Sequence, residues 1–219
     1  MHNDNFIIIG CGGIGANLAL KLSGVAKRII VIDNDKVELS NLNRIPIPFG
    51  NIGRLKVSAI ADKSLLEARK AAVFTYNGCV NSIDDLRHVL ESINMVTDSI
   101  LKNWTIVDCR DTLNPQVMFK EIEWKLTYDG GSFIALSFSP QTDCDKILSI
   151  GDGYQTIPSF YLTPAIQCDL FIEFIKSLKT KVDVTKALRT SNVSFEITDK
   201  IAASKVDIKK LLKNYRARV

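Results

Sequence analysis

Apolar positions along the chain alternate between two periods. Five-residue apolar runs at Asn5–Ile9 and Arg28–Ile32 are strand-sized, while Ile14, Leu18 and Leu22 between them recur every fourth residue, as on one face of a helix that Gly24 stops. The alternation continues. A helix is expected from Lys56 to about Lys70, with Ile60, Leu65 and Ala68 among its apolar positions, then a strand at Ala72–Tyr76. Ser82 is placed to cap a helix over Ile83–Ile93, because Asp84 and Asp85 fall in a first turn where the helix dipole favours acids. A strand at Trp104–Val107 follows, and Pro115 is expected to start a helix reaching about Leu126. Asp129-Gly130-Gly131 reads as a turn, Ser132–Phe138 as an alternating strand, and Lys146–Ile150 as its hairpin partner. Tyr154–Thr163 is irregular, and Pro164 opens a very apolar helix to about Leu178. A strand at Val193–Ile197 and a helix from about Lys205 complete the pattern, while the prolines of Ile45–Gly50 keep that segment out of helix.

Strand and helix in alternation predict an α/β fold: a Rossmann-like, doubly wound sheet, parallel in its first half, with an antiparallel extension near residues 132–150. In such sheets ligands bind beyond the carboxyl ends of the strands. Residues 1–180 are expected to form a nucleotide-binding domain, and 181–219 an extension packed on it.

The first strand runs directly into Gly10, Gly12, Gly13 and Gly15, and the second ends on Asp33, eighteen residues after Gly15. Strand, glycine turn, helix, strand and acid make up the nucleotide-binding βαβ unit. There the helix's free N–H groups face a phosphate, and the acid accepts hydrogen bonds from a ribose. The plainer alternative is a tight turn of another α/β domain, with Asp33 capping it.

The segment that follows is Asp33-Asn34-Asp35-Lys36-Val37-Glu38-Leu39-Ser40-Asn41-Leu42-Asn43-Arg44. It resembles the D-x-D-x-V-E-x-S-N-L-N-R stretch of the ThiF/MoeB family of adenylating enzymes, the relatives of ubiquitin-activating enzymes. Gly10–Gly15 fits that family's G-x-G-G-x-G, Gly53–Lys56 its G-x-x-K, and Asp108-Cys109-Arg110-Asp111-Thr112 its D-C-T-D-N. The resemblance covers about residues 5–115. It implies that Asp33 holds the ribose, that Asn41, Arg44 and Lys56 contact the triphosphate of ATP, with Asp35 and the four glycines among the nucleotide-binding residues, and that Asp111 carries Mg²⁺. Arg44, Lys56 and Asp111 would then be the catalytic residues. The plain readings of the same residues are a loop-satisfying Asn41, solvated Arg44 and Lys56, and an Asp111 that caps the next helix.

The implied reaction is adenylation of the C-terminal carboxylate of a small ubiquitin-like or sulfur-carrier protein, or of a peptide, with release of pyrophosphate. The alternatives are a non-catalytic nucleotide-binding subunit of an activating enzyme and an NAD(P)-binding oxidoreductase. The latter rests only on the glycine unit and Asp33. Relatives are usually dimers, so a homodimer is implied. They commonly carry an N-terminal helix whose arginine reaches the partner's ATP site. Here that arginine is expected to be missing or replaced, since the glycine strand begins at Asn5.

Composition narrows the picture. The apolar runs are too short to span a membrane and the start MHNDNF is not a signal peptide, so no membrane partner is expected. The five cysteines (Cys11, Cys79, Cys109, Cys144, Cys168) contain no C-x-x-C, so neither zinc nor a disulfide framework is expected, and a reducing cytoplasm fits. Cys144 is the loop candidate for a catalytic thiol. Its neighbours Asp143 and Asp145 would raise its pKa, which favours a passive surface residue. Cys11 and Cys109 read as small fillers, Cys168 as core, and His2 and His88 as exposed. The net charge of +4 gathers in Asp199–Val219, with seven Lys/Arg against two Asp. That tail reads as a solvated amphipathic helix or a contact for an acidic partner, and nucleic acid is not expected.

Overall fold

A computed structural model of the chain describes residues 4–112, 114–129, 134–138, 162–180, 193–198 and 201–206. Strands β1 (Asn5–Ile9), β2 (Arg28–Ile32), β3 (Ala72–Tyr76), β4 (Thr105–Asp108), β5 (Trp124–Asp129), β6 (Ile134–Phe138), β7 (Val193–Thr198) and β8 (Ile201–Val206) form one sheet. Its order is β3-β2-β1-β4-β5-β6-β8-β7. The five strands from β3 to β5 are parallel, and the pairings β5–β6, β6–β8 and β7–β8 are antiparallel.

The alternation of β1 and β2 explains why helices cover both faces. Phe6, Ile8, Ile29 and Val31 point into one core, together with Leu18 of α1 (Gly13–Ser23) and Ile60 of α2 (Lys56–Leu66). Ile7, Ile9, Ile30 and Ile32 point into the other, against Leu86, Val89 and Leu90 of α3 (Ile83–Ser92) and Ile100 of α4 (Thr97–Asn103). Strands buried on both faces read as continuous apolar runs, which is why these two stand out in the sequence. The long helix α5 (Leu162–Thr180) lies on the α1 side, where Phe171 and Phe174 meet Trp124 edge to face. The sheet is thus doubly wound, Rossmann-like, with an antiparallel extension.

Three sequence expectations need correction. The helix from Pro115 to Leu126 is a short 3-10 turn at Pro115–Val117 followed by β5. A helix would place Ile122 and Leu126 on one face, but Ile122 packs in one core and Leu126 in the opposite one. Helix α2 ends at Leu66, four residues early. Ala68 turns left-handed at φ 50° while the Arg69 amide donates to the Ser64 carbonyl, a Schellman-type stop that leaves Leu65 80% and Leu66 85% exposed. Lys205 and Val206, expected to start a helix, belong to β8. The sequence reading also has no counterpart for α4.

Lys146–Ile150 and residues 207–219 lie outside the described residues, as do His2 and Cys144; β6 pairs with β5 on one side and β8 on the other. Among the described residues, no helix is long and apolar enough to cross a membrane.

Candidate functional site

The glycine turn leaves β1 through Gly10, whose φ of +90° is a left-handed value that other residues rarely adopt. A Cβ there would also lie 2.9 Å from the Arg110 amide nitrogen, so the turn rests directly on the end of β4. A Cβ on Gly15 would overlap the Gly10 carbonyl oxygen, which fixes how closely α1 approaches the turn. Gly12 differs: nothing lies within 4 Å of where its Cβ would be. It is also the N-cap of α1, with no side-chain cap and no acid in the first turn. Gly13, the first residue of the helix, is buried. The result is an open helix N-terminus with free N–H donors, the arrangement that receives anions.

Asp33 stands against this turn at the tip of β2. One carboxylate oxygen accepts from the Cys11 amide at 2.6 Å and the other from the Asp35 amide at 2.7 Å. It therefore does cap its own turn. Each oxygen retains a second lone pair for a ligand.

The next segment folds back as a small antiparallel ladder. The Val37 amide donates to the Arg54 carbonyl, the Gly53 amide to the Val37 carbonyl, and the Lys56 amide to the Asp35 carbonyl, at 2.8, 2.8 and 2.9 Å. This ladder brings the Lys56 ammonium to 2.7 Å from Asp35, with Lys56 buried and Asp35 exposed. Asp33, Asp35 and Lys56 all act on the Cys11 thiol, whose pKa is pushed well up, chiefly by burial and then by Asp33. Two acids and a cation are thereby gathered at the glycine turn.

Asn41 and Arg44 are arranged otherwise. Asn41 is buried, and its Oδ1 accepts from the Glu38 amide at 3.1 Å, stabilising the 3-10 turn at Leu39–Asn41. The Arg44 guanidinium donates to the Ser40 carbonyl at 2.8 Å and to Asn43 Oδ1 at 3.0 Å. Both side chains are engaged with their own loop. Asp111 is exposed at the end of β4, without a hydrogen-bond or ion-pair partner among the described residues. Nor do three His, Cys, Asp or Glu side chains gather as a metal site among the described residues.

The sequence profile of the ThiF family matches residues 1–124. The chain belongs to the ThiF family. It is 28% identical over 166 residues to adenylyltransferase and sulfurtransferase MOCS3 of Aedes aegypti, a match covering 70% of this chain and 37% of that protein. It is 33% identical over 90 residues to ubiquitin-like modifier-activating enzyme 5 of Branchiostoma floridae, covering 40% of this chain and 22% of the relative. Among solved structures, E. coli MccB with ATP superposes at a TM-score of 0.59 with 21% identity, over 82% of this chain and 57% of that one. PaaA superposes at 0.58 with 20% identity and the same coverage. The structural likeness concerns the fold, and the matched region spans little more than a third at most of the length of these two curated relatives.

Two features of this ThiF-family chain involve residues outside the motifs read from the sequence, Asn17 and Lys125. Asn17, buried in α1, donates to the Gly13 carbonyl at 2.6 Å and to the Arg44 carbonyl at 2.9 Å, fastening the arginine loop to the glycine helix. Its only sequence signal is a polar residue inside an apolar helix. The second is a buried charge cluster behind the turn. Asp108 and Lys125 are both fully buried, and Arg110 donates to Asp108 through its amide, Nε and Nη2 at 2.9, 2.9 and 2.8 Å. Lys125 lies 3.4 Å from Asp108, and burial is the main cause that pushes its pKa down. A charged residue between Trp124 and Leu126 was the available signal for it.

Proposed function

We propose that this ThiF-family chain binds ATP at the glycine turn and adenylates the C-terminal carboxylate of a small ubiquitin-like or sulfur-carrier protein, or of a peptide, releasing pyrophosphate. The observation that carries the reading is the open α1 N-terminus at Gly12, flanked by Asp33 and by the Lys56–Asp35 pair. Relatives named as a modifier-activating enzyme and as an adenylyltransferase support it, as does the fold shared with MccB, solved with ATP.

The chemistry follows from charge. A carboxylate must attack the α-phosphorus of a polyanion, so cations and N–H dipoles have to offset negative charge as pyrophosphate leaves. The α1 N–H groups and Lys56 supply that here, and Asp33 receives the ribose hydroxyls on its remaining lone pairs. Arg44 joins them by exchanging its contacts with Ser40 and Asn43 for phosphate oxygens. Asn41 acts by shaping that loop, and Asp35 holds Lys56 in place until the nucleotide arrives.

Magnesium fits the donor set. The ion usually takes one or two carboxylates and completes its shell with phosphate oxygens and water, so an exposed, uncommitted Asp111 suits it. It would supply charge neutralisation on the phosphates. In this reading residues 1–180 form the ATP-binding domain with 181–219 as an extension on it, and the protein works as a cytoplasmic homodimer.

Pyrophosphate exchange into ATP tests the proposal, using carrier proteins ending in Gly-Gly and Asp111→Ala as control. Exchange that requires a carrier and disappears in the control is expected. Tight NAD binding without ATP affinity would overturn the proposal. A second reading, nucleotide binding without turnover, draws on one observation: the Arg44 guanidinium is committed to its own loop. ATP binding with no exchange from any carrier would select it.

A further inference from the structure

Behind the glycine turn, three charged side chains meet: Asp108 of β4, Arg110 just past its end, and Lys125 of β5. Lys125 Nζ donates to the Arg110 carbonyl at 2.5 Å and faces Asp108 at 3.4 Å. Arg110 also reaches outward: Nη1 donates to the Val80 carbonyl at 2.5 Å and to Asn81 Oδ1 at 3.2 Å, and Nη2 to the Val117 carbonyl at 2.8 Å. One residue is therefore held at its amide, carbonyl and side chain at once, by β4, β5, the loop after β3 and the turn at Pro115–Val117. That residue meets Gly10 on one side and precedes Asp111 on the other. The cluster pairs one carboxylate with two cations, more than neutralising Asp108 requires. Arg110 alone satisfies Asp108 with three hydrogen bonds. Lys125 is thus not needed for pairing, and its shortest contact is to backbone.

We propose that Lys125 is a positioning residue for the nucleotide and Mg²⁺ site: through the Arg110 carbonyl it sets the backbone that presents the Asp111 carboxylate beside the glycine turn. The inference rests on the proposed ATP and Mg²⁺ reading. It assigns Lys125 no contact with substrate. A buried carboxylate remains compensated if Lys125 becomes Met, because Arg110 stays. Removing one partner of a buried ion pair is costly when it strands the other charge, and here the Arg110 guanidinium keeps Asp108 paired. Loss of the carbonyl's donor instead frees the strand end. Outer partners of metal ligands typically influence affinity by about 10–100-fold.

The test is calorimetric titration of ATP into the full chain over a series of Mg²⁺ concentrations, with a thermal melt of each protein. Lys125→Met is expected to weaken the apparent Mg²⁺ affinity of the ATP complex about 10-fold. Metal-free ATP binding should stay at the wild-type value, with the melting temperature lowered by no more than a few degrees. Lys125→Gln, which keeps an N–H donor, should fall between the two and serves if Lys125→Met does not fold. An unchanged Mg²⁺ dependence in both variants would overturn the proposal. So would a loss of metal-free ATP binding in step with a lower melting temperature, since that marks a purely structural role. If the Mg²⁺ difference appears but wild type supports no pyrophosphate exchange, the adenylation reading falls and the positioning role stands. Absence of any wild-type ATP binding sinks both.

Discussion

Lys56 and Asp35 form an ion pair across 2.7 Å with opposite surroundings, the lysine side chain 10% exposed and the aspartate 60%. A nearly buried ammonium beside a solvated partner is suited to exchange that partner for an incoming phosphate. Lys56→Met should therefore weaken ATP binding about 30-fold, the loss of a charge-assisted hydrogen bond. Asp35→Asn should cost only about 1 kcal/mol of stability, because the carboxylate is solvent-screened. It should bind ATP no more weakly than wild type. Calorimetry on both variants decides it, and equal losses from the two would refute the exchange idea.

The glycines predict a separation of folding from binding. Gly12 adopts φ −73° with open space at its Cβ position, so Gly12→Ala should leave the melting temperature nearly unchanged while blocking phosphate approach. ATP affinity should fall at least about 10-fold, a loss of roughly 1.4 kcal/mol. Gly15→Ala drives a methyl into the Gly10 carbonyl and should destabilise the fold by about 3 kcal/mol or more. Similar melting temperatures for the two variants would contradict the geometry.

Asp33 makes two backbone contacts while offering lone pairs to a ribose. Wild-type protein should prefer ATP to its 2′- and 3′-deoxy analogues, and Asp33→Ala should erase that preference along with about 2 kcal/mol of stability. A preference that survives the substitution would leave Asp33 as a turn cap alone.

Burial holds the Cys11, Cys109 and Cys168 thiols above their ordinary pKa of 9.0. Below that value these groups are neutral in both states. Above it the unfolded chain releases protons that the folded chain keeps, so stability falls as pH rises. Each thiol adds about 1.4 kcal/mol per pH unit to that slope. Lys125 works in the opposite direction below its ordinary 10.5, because its depressed pKa makes the folded state the weaker proton binder. Urea denaturation between pH 8 and 10.5 should show a net decline, made shallower by Cys168→Ala. An unaltered slope in that variant would show that its thiol ionises freely in the folded chain.

The βαβ unit was legible because its signals are local: apolar runs, glycine spacing and an acid all lie within residues 5–33. The same holds for α3, where the Ser82 hydroxyl accepts the Asp85 amide as its sequence suggests. The identity of β5 depends on pairing with β4, a relation that no period within residues 115–126 records. Apolar positions at Leu65 and Ala68 extend the helical pattern past Leu66, while the left-handed turn at Ala68 ends the helix. Asp33, Asp35 and Lys56, which belong to the family pattern, gather at the glycine turn, while Asn41 and Arg44 bond within their own loop. The Arg110–Asp108–Lys125 cluster does not follow from that pattern, since it depends on strand neighbours contributed by distant segments. Asn41 remained between two roles in the sequence, and its Oδ1 serves its own turn.

Asn17 also gives the site a mechanical character. It joins the first turn of α1 to the arginine loop, while α1 is joined to α5 by Lys21–Asp169 at 2.7 Å and by the Cys168 thiol on the Ile14 carbonyl at 3.4 Å. Loop, glycine helix and long helix are thus linked in series. The Arg44 loop and the long helix therefore share one support, and any shift of α5 against α1 would have to break or carry these contacts.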